Sequence, residues 1–147
     1  MVDLMLAVDV RAEPEVVFEA LVDWVHQGEW MLGTKVHPTS GEGRGVGATI
    51  SAFTGVGPVG FTDPMEITVW EPPLRCHVRH LGRIVRGTGA FDITPIAAGR
   101  SRFTWSEQLE LPGGAAGRAA FVAVRPLAVA GVNRSLTRFA RWAERRG

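Results

Sequence analysis

Hydrophobic and polar positions alternate strictly over the first ten residues. Leu4, Leu6, Val8 and Val10 fall on one face, and Asp3, Met5, Ala7 and Asp9 on the other. That period of two predicts a strand with one face turned to a core. The period then changes. Pro14 stands where a first helical turn begins, and Val17, Phe18, Leu21 and Trp24 follow at helical spacing, which predicts an amphipathic helix. A second short helical piece is expected over residues 25–31, ending before Gly33. From Thr34 to Leu111 the chain reads as strands and turns, with strands expected over 34–38, 48–53, 66–70, 74–81, 83–94 and 100–111. Gly-Glu-Gly-Arg-Gly links the first two, Glu71-Pro72-Pro73 stops the third because proline cannot continue a ladder, and Pro112-Gly113-Gly114 closes the last. The period changes again over 115–146: Val122, Val129, Leu136 and Ala143 recur every seven residues, with Val132 and Phe139 between them. This predicts one long helix with a single apolar stripe, kinked near 122–126 by Pro126. One strand, a helical pair, about six successive strands and a long helix make an α+β chain built on an antiparallel meander.

Composition narrows the function classes. A chain of 147 residues is sized for one domain, against a prior of roughly 100–200 residues per domain. Cys76 is the only cysteine, which excludes an internal disulfide framework and any paired-cysteine metal or redox site. Sixteen basic residues face fifteen acidic ones, for a net charge of +1. That balance argues against duplex DNA or an anionic membrane surface as a partner, and no basic patch with interleaved aromatics points to nucleic acid. Five tryptophans without a tyrosine supply large apolar area with few polar tips. The N-terminus carries an acid at Asp3 and no basic region, so it reads as mature sequence. The apolar runs 119–124 and 127–132 are separated by Arg125-Pro126, and neither approaches the ~20 residues of a membrane span. A cytoplasmic protein is expected, as a monomer or homodimer.

Several segments carry the likeness of a known family. Pro14-Glu15-Val16-Val17-Phe18 opens the first helix, Glu29-Trp30-Met31 ends the helical pair, and Met65 to Pro73 runs a strand into a proline turn. Thr104-Trp105-Ser106-Glu107 and the terminal Arg138-Phe139-Ala140-Arg141-Trp142 complete the pattern. Over essentially its whole length the chain resembles the START-like/SRPBCC superfamily, and within it the small bacterial polyketide cyclase/dehydratase-like proteins. The resemblance implies a helix-grip fold: a curved antiparallel sheet of about seven strands around the long C-terminal helix, two short helices after the first strand, and a cavity between sheet and helix. It implies no single activity, because members include lipid carriers, cyclases and hormone receptors.

Alternation then selects the side chains that line such a cavity. Met65, Ile67 and Val69 are expected inward on one strand, and Cys76, Val78 and His80 on the next. Val85, Gly87, Gly89, Phe91 and Ile93 follow on the third, and Phe103, Trp105, Glu107, Leu109 and Leu111 on the last. Trp30 from the helical pair, and Arg125, Val129, Val132 and Leu136 from the long helix, complete the candidate site. His80, Glu107 and Arg125 are polar groups on apolar faces, where a charge is costly unless paired. Two arrangements satisfy that. Either they form the polar end of a pocket, with Glu107 or His80 moving a proton on a bound carbonyl compound, or Glu107 and Arg125 pair strand to helix while His80 bonds backbone. Cys76 reads as a small buried hydrophobe rather than a reactive thiol. His26, His37, His77 and His80 lack metal-ligand spacing, and neither a metal nor a cofactor is expected. Glycines 41, 43, 45 and 47 could suggest a phosphate loop, but no helix N-terminus follows them, and a hairpin tip is the better reading. Arg75, Arg79, Arg83 and Arg86 form a basic stripe on the outward strand face. The expected function is binding of a small, mainly apolar ligand such as a lipid, fatty acid or aromatic polyketide. A cyclase or dehydratase working through Glu107 and His80 is the alternative, and a protein acting through its surface, as co-chaperone relatives do, is a third.

Overall fold

A computed structural model describes residues 2–147. Strand β1, Val2–Val10, is followed by helix α1, Pro14–Leu21, and a 3₁₀ helix, Trp24–Glu29. Strands β2 (Thr34–Ser40), β3 (Thr49–Val56), β4 (Val59–Glu71), β5 (Arg75–Leu81), β6 (Arg86–Ala97) and β7 (Arg100–Glu110) come next, and α2 spans Gly114–Glu144. All neighbours are antiparallel in a single sheet ordered β1-β7-β6-β5-β4-β3-β2. The curved sheet grips α2 in a helix-grip fold, as the family resemblance implies, and the antiparallel meander is the one expected from the alternation of periods. Because β1 and β2 form opposite edges, α1 and the 3₁₀ helix must cross the sheet between them.

α1 starts at Pro14, where the missing N–H is one that a helix start leaves unpaired, and turns Val17, Phe18, Ala20 and Leu21 into the core. Its floor is Val10, Ile67 and Phe103, all fully buried. The last turns of α2 close this core: Leu136, Phe139 and Ala143 are buried, and Phe139 stands edge-on to Trp30 and Phe103 at 4.9 and 5.2 Å between ring centres. Each large side chain so buried contributes roughly 1.5–3 kcal/mol.

Three expectations are corrected. β4 begins seven residues early, at Val59 rather than Glu66, and carries Pro64 within it. This is possible because β5 pairs with β4 only from Met65 onward, so Pro64 lacks a ladder partner on that side. Second, the β4–β5 register shifts between Ile67 and Val69, so Thr68 is an extra residue. Beyond such a bulge the parity reverses. Val69 therefore sits opposite His77 on the outer face, and Trp70, opposite Cys76, packs inward against Phe18 at 5.2 Å between ring centres. Third, the two apolar runs, short when counted separately, lie on one continuous helix, since α2 passes through Pro126 as the long helix expected from the sequence. By length and composition it could cross a membrane, with a window of mean hydropathy 1.4, but it serves here as the core helix of the fold.

The outward basic stripe is partly neutralised: Arg79 bonds Glu66 at 2.9 Å and Arg75 bonds Glu71 at 3.3 Å. The glycine-rich 41–47 connection is pinned to the helices, through Trp24 Nε1 donating to the Gly43 carbonyl at 2.8 Å and Arg44 paired with Glu19 at 2.9 Å.

Candidate functional site

Beneath the middle of α2, from Leu127 to Ser135, a cavity of about 440 Å³ opens between the helix and the sheet. That lies within the range of roughly 300–1,000 Å³ typical of small-molecule sites. Its walls are mainly apolar. Ile50 and Ala52 come from β3, Met65 from β4, Cys76 and Val78 from β5, Phe91 from β6 and Trp105 from β7. Leu127, Ala128, Gly131 and Val132 of α2 form the roof, and Trp24, Met31 and Leu32 of the helical segment one side. Burial pushes the Cys76 thiol up to about 12, so Cys76 acts as an apolar wall group, not a nucleophile.

One end of this cavity is charged. Alternation places Asp63 of β4, His80 of β5 and Glu107 of β7 on the inner face, and adjacency in the sheet brings them together. His80 Nδ1 lies 2.9 Å from Asp63 Oδ1, and Nε2 lies 2.9 Å from Glu107 Oε2. Trp105 Nε1 donates to the other Glu107 oxygen at 3.0 Å. The three side chains are only 5%, 12% and 16% exposed for His80, Asp63 and Glu107. Burial, the largest single influence, pulls the imidazole down, but hydrogen bonds to Asp63 and Glu107 and their charges together outweigh it and hold His80 up at about 9. His80 is therefore an imidazolium near neutral pH, donating through both nitrogens. A glycine makes room for this clasp: a Cβ at Gly89 would come within 2.8 Å of the Glu107 carboxylate. A second cavity of about 200 Å³, bounded by Leu4 and Leu6 of β1, shares Asp63, His80, Trp105, Glu107 and Val132 with the first. The clasp is thus reached from both chambers.

Of the residues expected at the site, Met65, Cys76, Val78, His80, Gly89, Phe91, Trp105, Glu107 and Val132 line the main cavity. The others do not. Trp30, Ile67 and Leu136 are packed into solid core behind the wall; Trp30 stands edge-on to Trp105, 6.3 Å between ring centres. Val69 is turned outward by the bulge. Val129 lies on the helix but outside the lining. Arg125 is exposed and donates to the Asp3 backbone carbonyl at 3.2 Å, tying α2 to the sheet edge. Neither the Glu107–Arg125 pair nor a His80 bond to backbone exists; Glu107 and His80 bond each other. Asp63 was missed because Gly60, Pro58 and Pro64 mark its segment as a loop. Alternation carried back from Met65 through Pro64 would have found it. Among the described residues, no group of three or more His, Cys, Asp or Glu side chains is arranged to hold a metal ion.

Comparison with known proteins places this geometry among relatives. The sequence profile of a family described as polyketide cyclase/dehydrase and lipid transport matches residues 1–144. The Zhui aromatase/cyclase from Streptomyces sp. R1128 superposes with a TM-score of 0.80 at 18% identity, covering 99% of this chain and 94% of that one. The TTHA0849 protein from Thermus thermophilus gives 0.80 at 14% identity, over 97% of each chain. The Polyketide_cyc-like protein Cgl2372 from Corynebacterium glutamicum gives 0.67 at 19% identity, over 97% of this chain and 91% of that one. No curated protein sequence matches. At such identities the structural likeness establishes the fold alone.

Proposed function

The chain belongs to the polyketide cyclase/dehydrase and lipid transport family, and on that basis we propose that it binds one small, mainly apolar molecule in the cavity between the sheet and α2. The observation that carries this reading is a void of about 440 Å³ with apolar walls and one concentrated polar end. Well-packed interiors leave few voids larger than a water, and a space this size serves a ligand better than it serves stability. Filling it tests the reading. Val132→Trp places an indole in the void, and native mass spectrometry of the gently purified protein, offered a mixed apolar extract, reads occupancy. Wild type should retain a small molecule and the variant should not. Equal retention by a folded variant would contradict the reading.

The His80 clasp favours a second reading, a cyclase or dehydratase. In it a ligand carbonyl oxygen takes the place of Glu107 at Nε2 and receives that proton. The freed carboxylate removes a proton from the carbon beside the carbonyl, leaving the enol. As the carbonyl re-forms and returns its proton to His80, either the enol carbon attacks a second carbonyl or a hydroxyl on the next carbon departs. The Glu107 carboxyl gives its proton to the oxygen that receives the electrons. General acid–base groups of this kind supply about 10²–10⁴-fold in rate. Glu107→Gln would then abolish turnover of a poly-β-ketone while leaving its binding intact; unchanged turnover would eliminate this second reading.

A further inference from the structure

We infer that the cavity sorts its ligands by the charge and donor character of their polar head, accepting a hydroxyl or an ammonium and rejecting a carboxylate, sulfate or phosphate. This rests on the cavity being a ligand site, and follows from an inventory of donors and acceptors at its polar end. Two carboxylates, Asp63 and Glu107, flank one imidazolium, which leaves one negative charge in excess. Among the described residues, no arginine or lysine lines either chamber. Arg125, the candidate cation of the roof helix, is turned away to the Asp3 carbonyl. Anions are recognised by arginine, lysine or a helix N-terminus, and α2 offers the cavity only its middle, from Leu127 to Ser135.

The donors of the clasp are also spent. Both N–H groups of His80 are directed at carboxylates, and the Trp105 N–H goes to Glu107. What remains at this end are carboxylate lone pairs, since each ionised carboxyl group offers about four acceptor positions and no donor. A second observation points the same way. Gln27, 4% exposed, lines the same cavity, and its Oε1 is buried without a hydrogen-bond partner. The remaining polar groups, Thr34, Thr54 and Ser135, are neutral hydroxyls. A fatty acid, which apolar walls alone would admit, therefore meets repulsion at the clasp and no cationic donor to offset its desolvation. An alcohol, phenol, enol or amine finds acceptors in place.

The test is a matched series on the wild-type chain: naphthalene, 2-naphthol, 2-naphthylmethylamine and 2-naphthoate, titrated calorimetrically near neutral pH. Naphthol and the amine should bind at least about tenfold tighter than naphthoate, as charge-assisted hydrogen bonds are worth roughly twice neutral ones. A further preference for the amine over naphthol would show that net charge, and not hydrogen bonding alone, does the sorting. Naphthoate binding as tightly as naphthol, or naphthalene binding tighter than naphthol, would overturn the inference while leaving the cavity as a ligand site. Binding by none of the four would overturn both. In Glu107→Gln, which keeps the shape and removes one charge, the gap between naphthol and naphthoate should shrink several-fold. The wild-type series decides the question by itself if that variant does not fold.

Discussion

The two halves of α2 carry one sequence pattern and do two different things. Val122, Val129, Leu136 and Ala143 recur every seven residues along it. Leu136 and Ala143 are buried, whereas Val122 is 69% exposed. Leu136 and Ala143 face the core, the stretch from Leu127 to Ser135 faces the cavity, and Val122 lies beyond both. Below the C-terminal half, Trp30 and Phe103 fill the space and meet Phe139 edge-on. Below the middle of the helix, small residues on both sides, Ala52, Gly89 and Ala90 from the sheet and Ala128 and Gly131 from α2, leave the space open. An apolar stripe specifies an apolar neighbour and leaves open whether that neighbour is core or ligand.

Truncation should separate the halves most sharply. Phe139→Ala, in the packed half, should cost about 3–5 kcal/mol in urea denaturation, the usual loss for a buried aromatic. Leu127→Ala, over the cavity and 78% exposed, should fall within about 0.5 kcal/mol of wild type. Equal losses would erase the distinction. Breaking the clasp comes next. His80→Leu strands two carboxylates at the cavity end and should destabilise by about 3–5 kcal/mol, as loss of one partner from a buried ion pair does.

The same group sets a pH dependence. His80 is held at about 9 in the fold, above its ordinary 6.5, so the folded state binds the proton more tightly than the unfolded chain. Its contribution is complete below about 6.5 and fades as pH rises through about 9. The groups facing it are Asp63 from β4 and Glu107 from β7. Melting temperature should accordingly fall across that window, and the fall should flatten in His80→Gln. A wild-type profile that rises over the same range would contradict the assignment. Gly89→Ala should have a smaller effect, about 1–3 kcal/mol, because its methyl displaces the Glu107 carboxylate; the flattened pH profile should accompany it. Arg79→Ala, which breaks an exposed pair with Glu66, should cost at most about 1 kcal/mol.

Much of this was legible in the chain. Alternation over residues 3–10 and 100–111, and the seven-residue stripe of α2, place β1, β7 and the helix to within a few positions. They also put His80 and Glu107 on one face, because β5 to β7 pair in register without a bulge near either residue. Two kinds of information were not local. The extra residue at Thr68 reverses the face of Val69 and Trp70, and nothing in Ile67-Thr68-Val69 announces it. Depth was also invisible: period tells which way Ile67, Leu136 and Trp30 point, not whether a partner already fills the space in front of them. Arg125 shows the same limit, since a residue near the stripe of α2 could swing to the sheet edge instead of into the cavity.

The central claim is that an apolar ligand enters beneath the middle of α2 and stops against the His80 clasp. Fluorotryptophan labelling tests it directly, because the five indoles sample every relevant place. Trp24 and Trp105 line the cavity, Trp30 lies in the core behind it, Trp70 packs on α1, and Trp142 sits near the end of α2. On titration with 2-naphthol, the ¹⁹F resonances of Trp24 and Trp105 should move most, while those of Trp70 and Trp142 hold still. Saturable binding that moves Trp70 or Trp142 and leaves Trp24 and Trp105 unchanged would contradict the account.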